Sequence, residues 1–147
     1  MNDQPNPATT VCFLVSIDDQ ELGAFTSCEG LGAEVVLEQR EEGGNNTHVW
    51  QLPTRLKYPN IKLGRPITGD TEKVARWFMS MSGGVTRKTG QIAAMTAEGT
   101  VVARWGLADV IPVRWSGPSL NPDSPKIATE TVEIAHHGFL EAKGGSN

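Results

Sequence analysis

The densest group of metal-ligating residue types is His136-His137 with Glu133 close by and His48 far along the chain. A closed zinc site needs four such ligands converging on a tetrahedron. Neighbouring strand residues point to opposite faces, so His136 and His137 cannot both reach one ion without a bend. The pair reads as exposed histidines at a strand end, and no metal site is expected. Gly30-Leu31-Gly32 matches the start of a dinucleotide fingerprint, but the third glycine is missing and a strand pattern follows. Ser80-Met81-Ser82-Gly83-Gly84 fails as a nucleophile elbow, which needs a glycine on each side of the serine at a strand-to-helix turn. It reads as the stop of a helix. Asp18, Asp19 and Asp109 fall in turns or at strand ends, where aspartate serves backbone hydrogen bonding. With no carboxylate pair and no Cys/His arrangement, the expectation is no catalytic residue, no cofactor and no enzyme.

The elements that would carry these residues are mostly strands. Residues 1–10 read as a flexible tail interrupted by Pro5 and Pro7, 11–140 as one domain, and 141–147 as a Gly-rich flexible tail. Val11, Phe13, Val15 and Ile17 alternate on one face of a first strand, and Leu22 to Phe25 returns as its hairpin partner. Ala33 to Arg40 alternates again, with Val35, Leu37 and Gln39 on one side and Glu34, Val36, Glu38 and Arg40 on a wet one. Glu41 to Pro59 has little apolar content and two prolines, and reads as an overlong loop of the kind that is usually functional. Its Trp50 and Tyr58 point to docking. Asn60 to Arg65 is a strand ended by Pro66.

One segment has helical spacing: Val74, Trp77, Phe78 and Met81 fall at i, i+3, i+4 and i+7, with Asp70 as N-cap, predicting a helix over about 70–82. Gln91 to Thr96 and Thr100 to Leu107 form a hairpin. Ala108 to Trp115 reads as a separate strand broken by Pro112, and Lys126 to Ala135 as the last strand. Strands, one helix, then strands predict a mainly β fold: a small antiparallel β-barrel or sandwich with one flanking α-helix.

Composition narrows the function classes. At 147 residues the chain is one domain, and 16 Gly with 9 Pro disfavour a helical bundle. The net charge is −4 and the longest run of basic residues is Arg87-Lys88, so sequence-specific nucleic-acid binding is not expected. No apolar stretch approaches the roughly 18 residues of a membrane-spanning helix, so no membrane anchoring is expected. Met1 to Pro7 has neither a basic nor an apolar leader region, which predicts synthesis in the cytoplasm and free thiols at Cys12 and Cys28. Four tryptophans are many for a chain only 6% aromatic. Core packing explains two of them, whereas Trp50 on a loop suits an interface.

The ordered motifs then carry a resemblance. Val11 to Asp18, Gly23-Ala24-Phe25-Thr26-Ser27-Cys28-Glu29-Gly30-Leu31-Gly32, and Glu38-Gln39-Arg40-Glu41-Glu42-Gly43-Gly44-Asn45 resemble the inner tube protein family of contractile phage tails and related injection systems. Leu52-Pro53, Lys57 to Leu63, Arg65 with Ile67-Thr68, Arg87 to Gly90, Trp115 to Pro118, and Glu130 to His136 continue it in order. The chain departs from the pattern at Thr54 and at Arg65-Pro66, which bears on local loop conformation.

The resemblance implies a β-barrel with one flanking helix that forms hexameric rings, stacked as a hollow tube inside a contractile sheath. It also implies that the loop after Glu38 to Gly44 contacts the next ring. Expected partners are other copies of the chain, the sheath protein, baseplate and tube-terminating proteins, and an effector or phage DNA as cargo in the lumen. The expected location is a phage tail or a phage-tail-like particle. Glu42, Gly43, Gly44, Asn45, Trp50, Leu52, Pro53 and Tyr58 are candidates for the contact between rings or subunits. Glu34, Glu38 and Arg40 are candidates for the lumen, where an acidic bore would repel acidic cargo. The alternative function is a small-ligand-binding barrel with its mouth covered by the helix.

Overall fold

The computed structural model describes residues 9–18, 20–41, 49–117 and 128–140. In chain order the elements are β1 (Cys12–Ile17), β2 (Gln20–Phe25), β3 (Ser27–Glu29), β4 (Glu34–Glu41), β5 (Val49–Lys57), β6 (Ile61–Pro66), α1 (Thr71–Met79), β7 (Lys88–Met95), β8 (Val101–Ser116), β9 (Thr129–Ala135) and β10 (Phe139–Leu140). The fold is mainly β, with a single flanking helix among the described residues, as the alternation predicts. The main sheet is antiparallel throughout, in the order β2-β1-β7-β8-β9-β6-β3, with β10 added to β8.

The two ends of that path, β2 and β3, are joined through Thr26 alone, so the covalent chain brings the sheet round on itself. The hydrogen-bonded circuit is left with one seam, between β2 and β6, and there a side chain substitutes for a ladder. Arg65 Nη1 donates to the carbonyls of Leu22 at 2.8 Å and Ala24 at 3.4 Å. Its Nε donates to Glu130 Oε1 at 2.5 Å, and its Nη2 to the Asp70 carbonyl at 3.1 Å, just ahead of the helix. The guanidinium lies 4.1 Å from the centroid of the Phe25 ring, and Trp115 Nε1 donates to the other Glu130 oxygen at 3.3 Å. Gly23, at φ +99°, faces this seam; a Cβ there would lie 2.5 Å from Asp70 Oδ2 and 2.9 Å from Arg65 Nη1.

Alternating inward residues of the strands fill the interior: Val15 and Ile17, Leu22, Phe25, Ile61 and Leu63, Ile92, Leu107, Val110, Val132 and Ile134. Helix α1 lays Val74 and Trp77 onto this core, with Phe78 and Met81 packed at its margin. The regular helix ends at Met79, inside the expected 70–82, and Ser80 follows as its C-cap.

Three expectations are corrected. The separate strands 100–107 and 108–115 are one 16-residue strand, β8. Leu107 and Val110 are both buried although three residues apart, which strict alternation forbids. The register supplies the reason: Gly90 to Lys88 on β7 spans Leu107 to Val110 on β8, and Asp109 takes the extra residue at φ +53°. This bulge turns β8 from β7 toward β9, so one strand serves both halves of the sheet. Pro112 stands at a second irregularity rather than at a break. The second correction concerns 41–59: residues 49–57 are strand β5 and not loop. The third is His136, which is buried and not exposed.

Candidate assembly surface

Among the described residues, strands β4 and β5 pair only with each other and form a sheet of their own, apart from the barrel. Val35 stands opposite Leu56 and Leu37 opposite Pro53, so these four share one face. Val35 is 52% exposed, Leu37 49% and Leu56 55%. On the other face Glu34 stands opposite Lys57, Val36 opposite Arg55 and Glu38 opposite Leu52. Between Val36 and Leu37 the register shifts by one residue, and there Thr54 Oγ1 donates to the Val36 carbonyl at 2.9 Å. Thr54 thus occupies a bulge. A lone two-stranded hairpin is marginal in water, and a contiguous open apolar face on one is a candidate interaction surface.

The hairpin joins the barrel through Tyr58, the residue after β5. Its ring centroid is 5.5 Å from that of His136 and 5.8 Å from that of Phe139. A Cβ on Gly138, which has φ +124°, would sit 3.1 Å from the Tyr58 ring, so the turn favours glycine both by its backbone conformation and by the close approach of that ring. His136 Nδ1 accepts the N–H of Gly138 at 3.1 Å, and burial pushes its pKa below the ordinary histidine value. His137 points the other way, as expected, into an exposed group with Asp109 Oδ2 at 3.3 Å and Arg87 Nη1 at 3.2 Å.

Of the residues singled out in the sequence, Val35 and Leu37 meet Leu56 and Pro53 on the open apolar face. Glu34 and Glu38 are exposed on the opposite face beside Lys57, Arg55 and Leu52. That face carries both signs of charge. Arg40 lies opposite Trp50 near the far end of the hairpin. Glu42, Gly43, Gly44 and Asn45 lie outside the described residues, as does His48. Tyr58 makes its ring contacts within the chain. Among the described residues no group of three or more His, Cys, Asp or Glu side chains could hold a metal ion. Burial, with Glu29 adding, pushes the Cys28 thiol up to about 11, so it stays protonated at neutral pH and is a poor nucleophile.

The Arg65–Glu130 seam escaped the sequence reading although a signal was present. Arg65 continues the buried face of Ile61 and Leu63, and Glu130 that of Val132 and Ile134. Opposite charges ending two inward-facing alternations are what a buried pair looks like in sequence.

The family model of the T4-like virus tail tube protein gp19 matches residues 9–140. The chain belongs to this tail tube family. Among solved structures, the tail tube chain resembles one in the anti-feeding prophage (AFP) baseplate at 20% identity and TM-score 0.76, covering 93% of this chain and 96% of that one. It resembles one in the PVC extracellular contractile injection system sheath-tube complex at 21% identity and TM-score 0.75, covering 91% and 90%. A third, in the AFP tube terminating cap, has 23% identity and TM-score 0.73, covering 91% and 89%. These likenesses show the shared fold. No curated protein matches the sequence. No helix of the described residues is long and apolar enough to cross a membrane.

Proposed function

We propose that this tail tube chain forms hexameric rings that stack into a hollow tube inside a contractile sheath, and that its role is structural rather than catalytic. The observation that carries the reading is the β4–β5 hairpin: it projects from the barrel and leaves Val35, Leu37 and Leu56 about half exposed on one face. A second copy of the chain covers that face, with Trp50, Leu52 and Pro53 of β5 and the sequence segment Glu42 to Asn45 as the proposed contacts to the next ring. The mixed-charge face of Glu34, Glu38 and Arg40 with Arg55 and Lys57 suits a bore in which cargo, an effector or phage DNA, moves without adhering. The proposed bore is thus of mixed rather than purely acidic charge. Sheath, baseplate and tube-terminating proteins are the further partners, in a phage tail or a phage-tail-like particle.

Electron microscopy of the purified chain, alone and seeded with a baseplate fraction, tests this. Six-membered rings or stacked tubes are expected; a monodisperse monomer under both conditions overturns the reading.

A further inference from the structure

His136 is a buried titratable group at the base of the hairpin. It is 5% exposed, its Nδ1 accepts the Gly138 N–H, and its Nε2 has no hydrogen-bond partner among the described residues. That pattern fits the neutral ring with its proton on Nε2. A proton on Nδ1 would set one N–H against another, and the ring would have to exchange this bond for the more distant Gly138 carbonyl at 3.3 Å.

The walls of the site are Tyr58 and Phe139, whose centroids lie 5.5 Å and 5.2 Å from the imidazole. Of the titratable and charged groups around it, Tyr58 comes from the β5–β6 connection and His137 from its own segment. Beyond His137, Asp109 of β8 and Arg87 ahead of β7 bond to His137 and not to His136. Burial disfavours the charged ring most strongly, the Gly138 carbonyl favours it in part, and charge on His137 opposes it, with a net shift below the ordinary histidine value. Tyr58 is also where the hairpin meets the barrel.

We propose that His136 is an acid-sensitive latch at the base of the β4–β5 hairpin: its neutral ring holds Tyr58 and the Gly138 turn against β8, and protonation releases them. Its consequence for tubes rests on the hairpin being the assembly element, but the latch itself is a property of the single chain and is tested there. In the released state the imidazole takes up a proton near its ordinary value of about 6.5. In the locked state it does so at lower pH. The latch is therefore fully closed above that value and weakens as pH falls through it, by up to about tenfold in the opening constant per pH unit. The weakening levels off below the folded-state value.

The experiment follows the imidazole signals of His136 by NMR in the dilute, unassembled chain. In parallel it reads amide exchange around Tyr58 and Phe139, corrected for intrinsic rates, from about pH 8 to about pH 5. The expected result is a His136 titration below the ordinary value and a loss of protection that begins near 6.5 in the native chain and is flattened in His136→Phe. His137→Gln, which removes the exposed imidazole, should leave the loss in place. A His136 that titrates at or above the ordinary value, or an equal loss of protection in His136→Phe, overturns the latch. Should His136→Phe not fold, the native titration and the His137→Gln variant decide in the same terms.

Discussion

Arg65 shows how one side chain can replace a missing stretch of ladder. Its guanidinium binds the carbonyls of Leu22, Ala24 and Asp70 and the Glu130 carboxylate, with both charged side chains almost wholly removed from water. A buried pair of this kind is costly to break from one side, because the remaining charge stays buried and unpaired. Arg65→Met should therefore lower the unfolding free energy by about 3–5 kcal/mol, read from denaturant melts. The double variant Arg65→Met with Glu130→Leu should lose clearly less than the two single variants summed, since the second change removes the stranded charge. An additive result would mean that the two residues do not act as a pair. The exposed pairs on α1, Lys73–Asp70 and Arg76–Glu72, contrast with this one, being open to solvent and of small effect.

At the scale of elements, the hairpin and the barrel separate two tasks. The barrel buries a continuous apolar core within the chain, whereas β4 and β5 hold an apolar face that none of the described residues covers. Charges placed on that face should therefore leave the fold intact and abolish assembly. Val35→Glu and Leu37→Glu should each change monomer stability by no more than about 0.5 kcal/mol. Both should abolish rings and tubes in electron micrographs. Tubes formed normally by either variant would show that the face lies outside the contact. Alternation in Ala33 to Arg40 was legible because period two survives exposure. Strand β5 was not legible, because Pro53 and the bulge at Thr54 interrupt its alternation and its partner β4 supplies the order that its own composition lacks.

For the whole molecule, a chain that closes its sheet through a corner and a side chain, and projects a two-stranded arm, should gain stability from its neighbours. Its thermal midpoint should rise with protein concentration as rings form, following mass action. A midpoint unchanged across a hundredfold range, with rings present, would mean that assembly adds nothing to the stability of the subunit.

The sequence by itself determined the class of fold and the family. Period-two alternation, one stretch at helical spacing and the glycines and prolines between them are local properties that a chain displays without folding. The ordered motifs from Val11 to His136 act in the same way. Only the tertiary structure decided that Asp109 bulges β8 into one continuous strand, that Arg65 seals the seam with Glu130, and that His136 is buried under Tyr58. In each case residues far apart in sequence supply the environment: 65 and 130, 58 and 136, 90 and 107. An environment made by distant partners leaves little trace in the local pattern of either one.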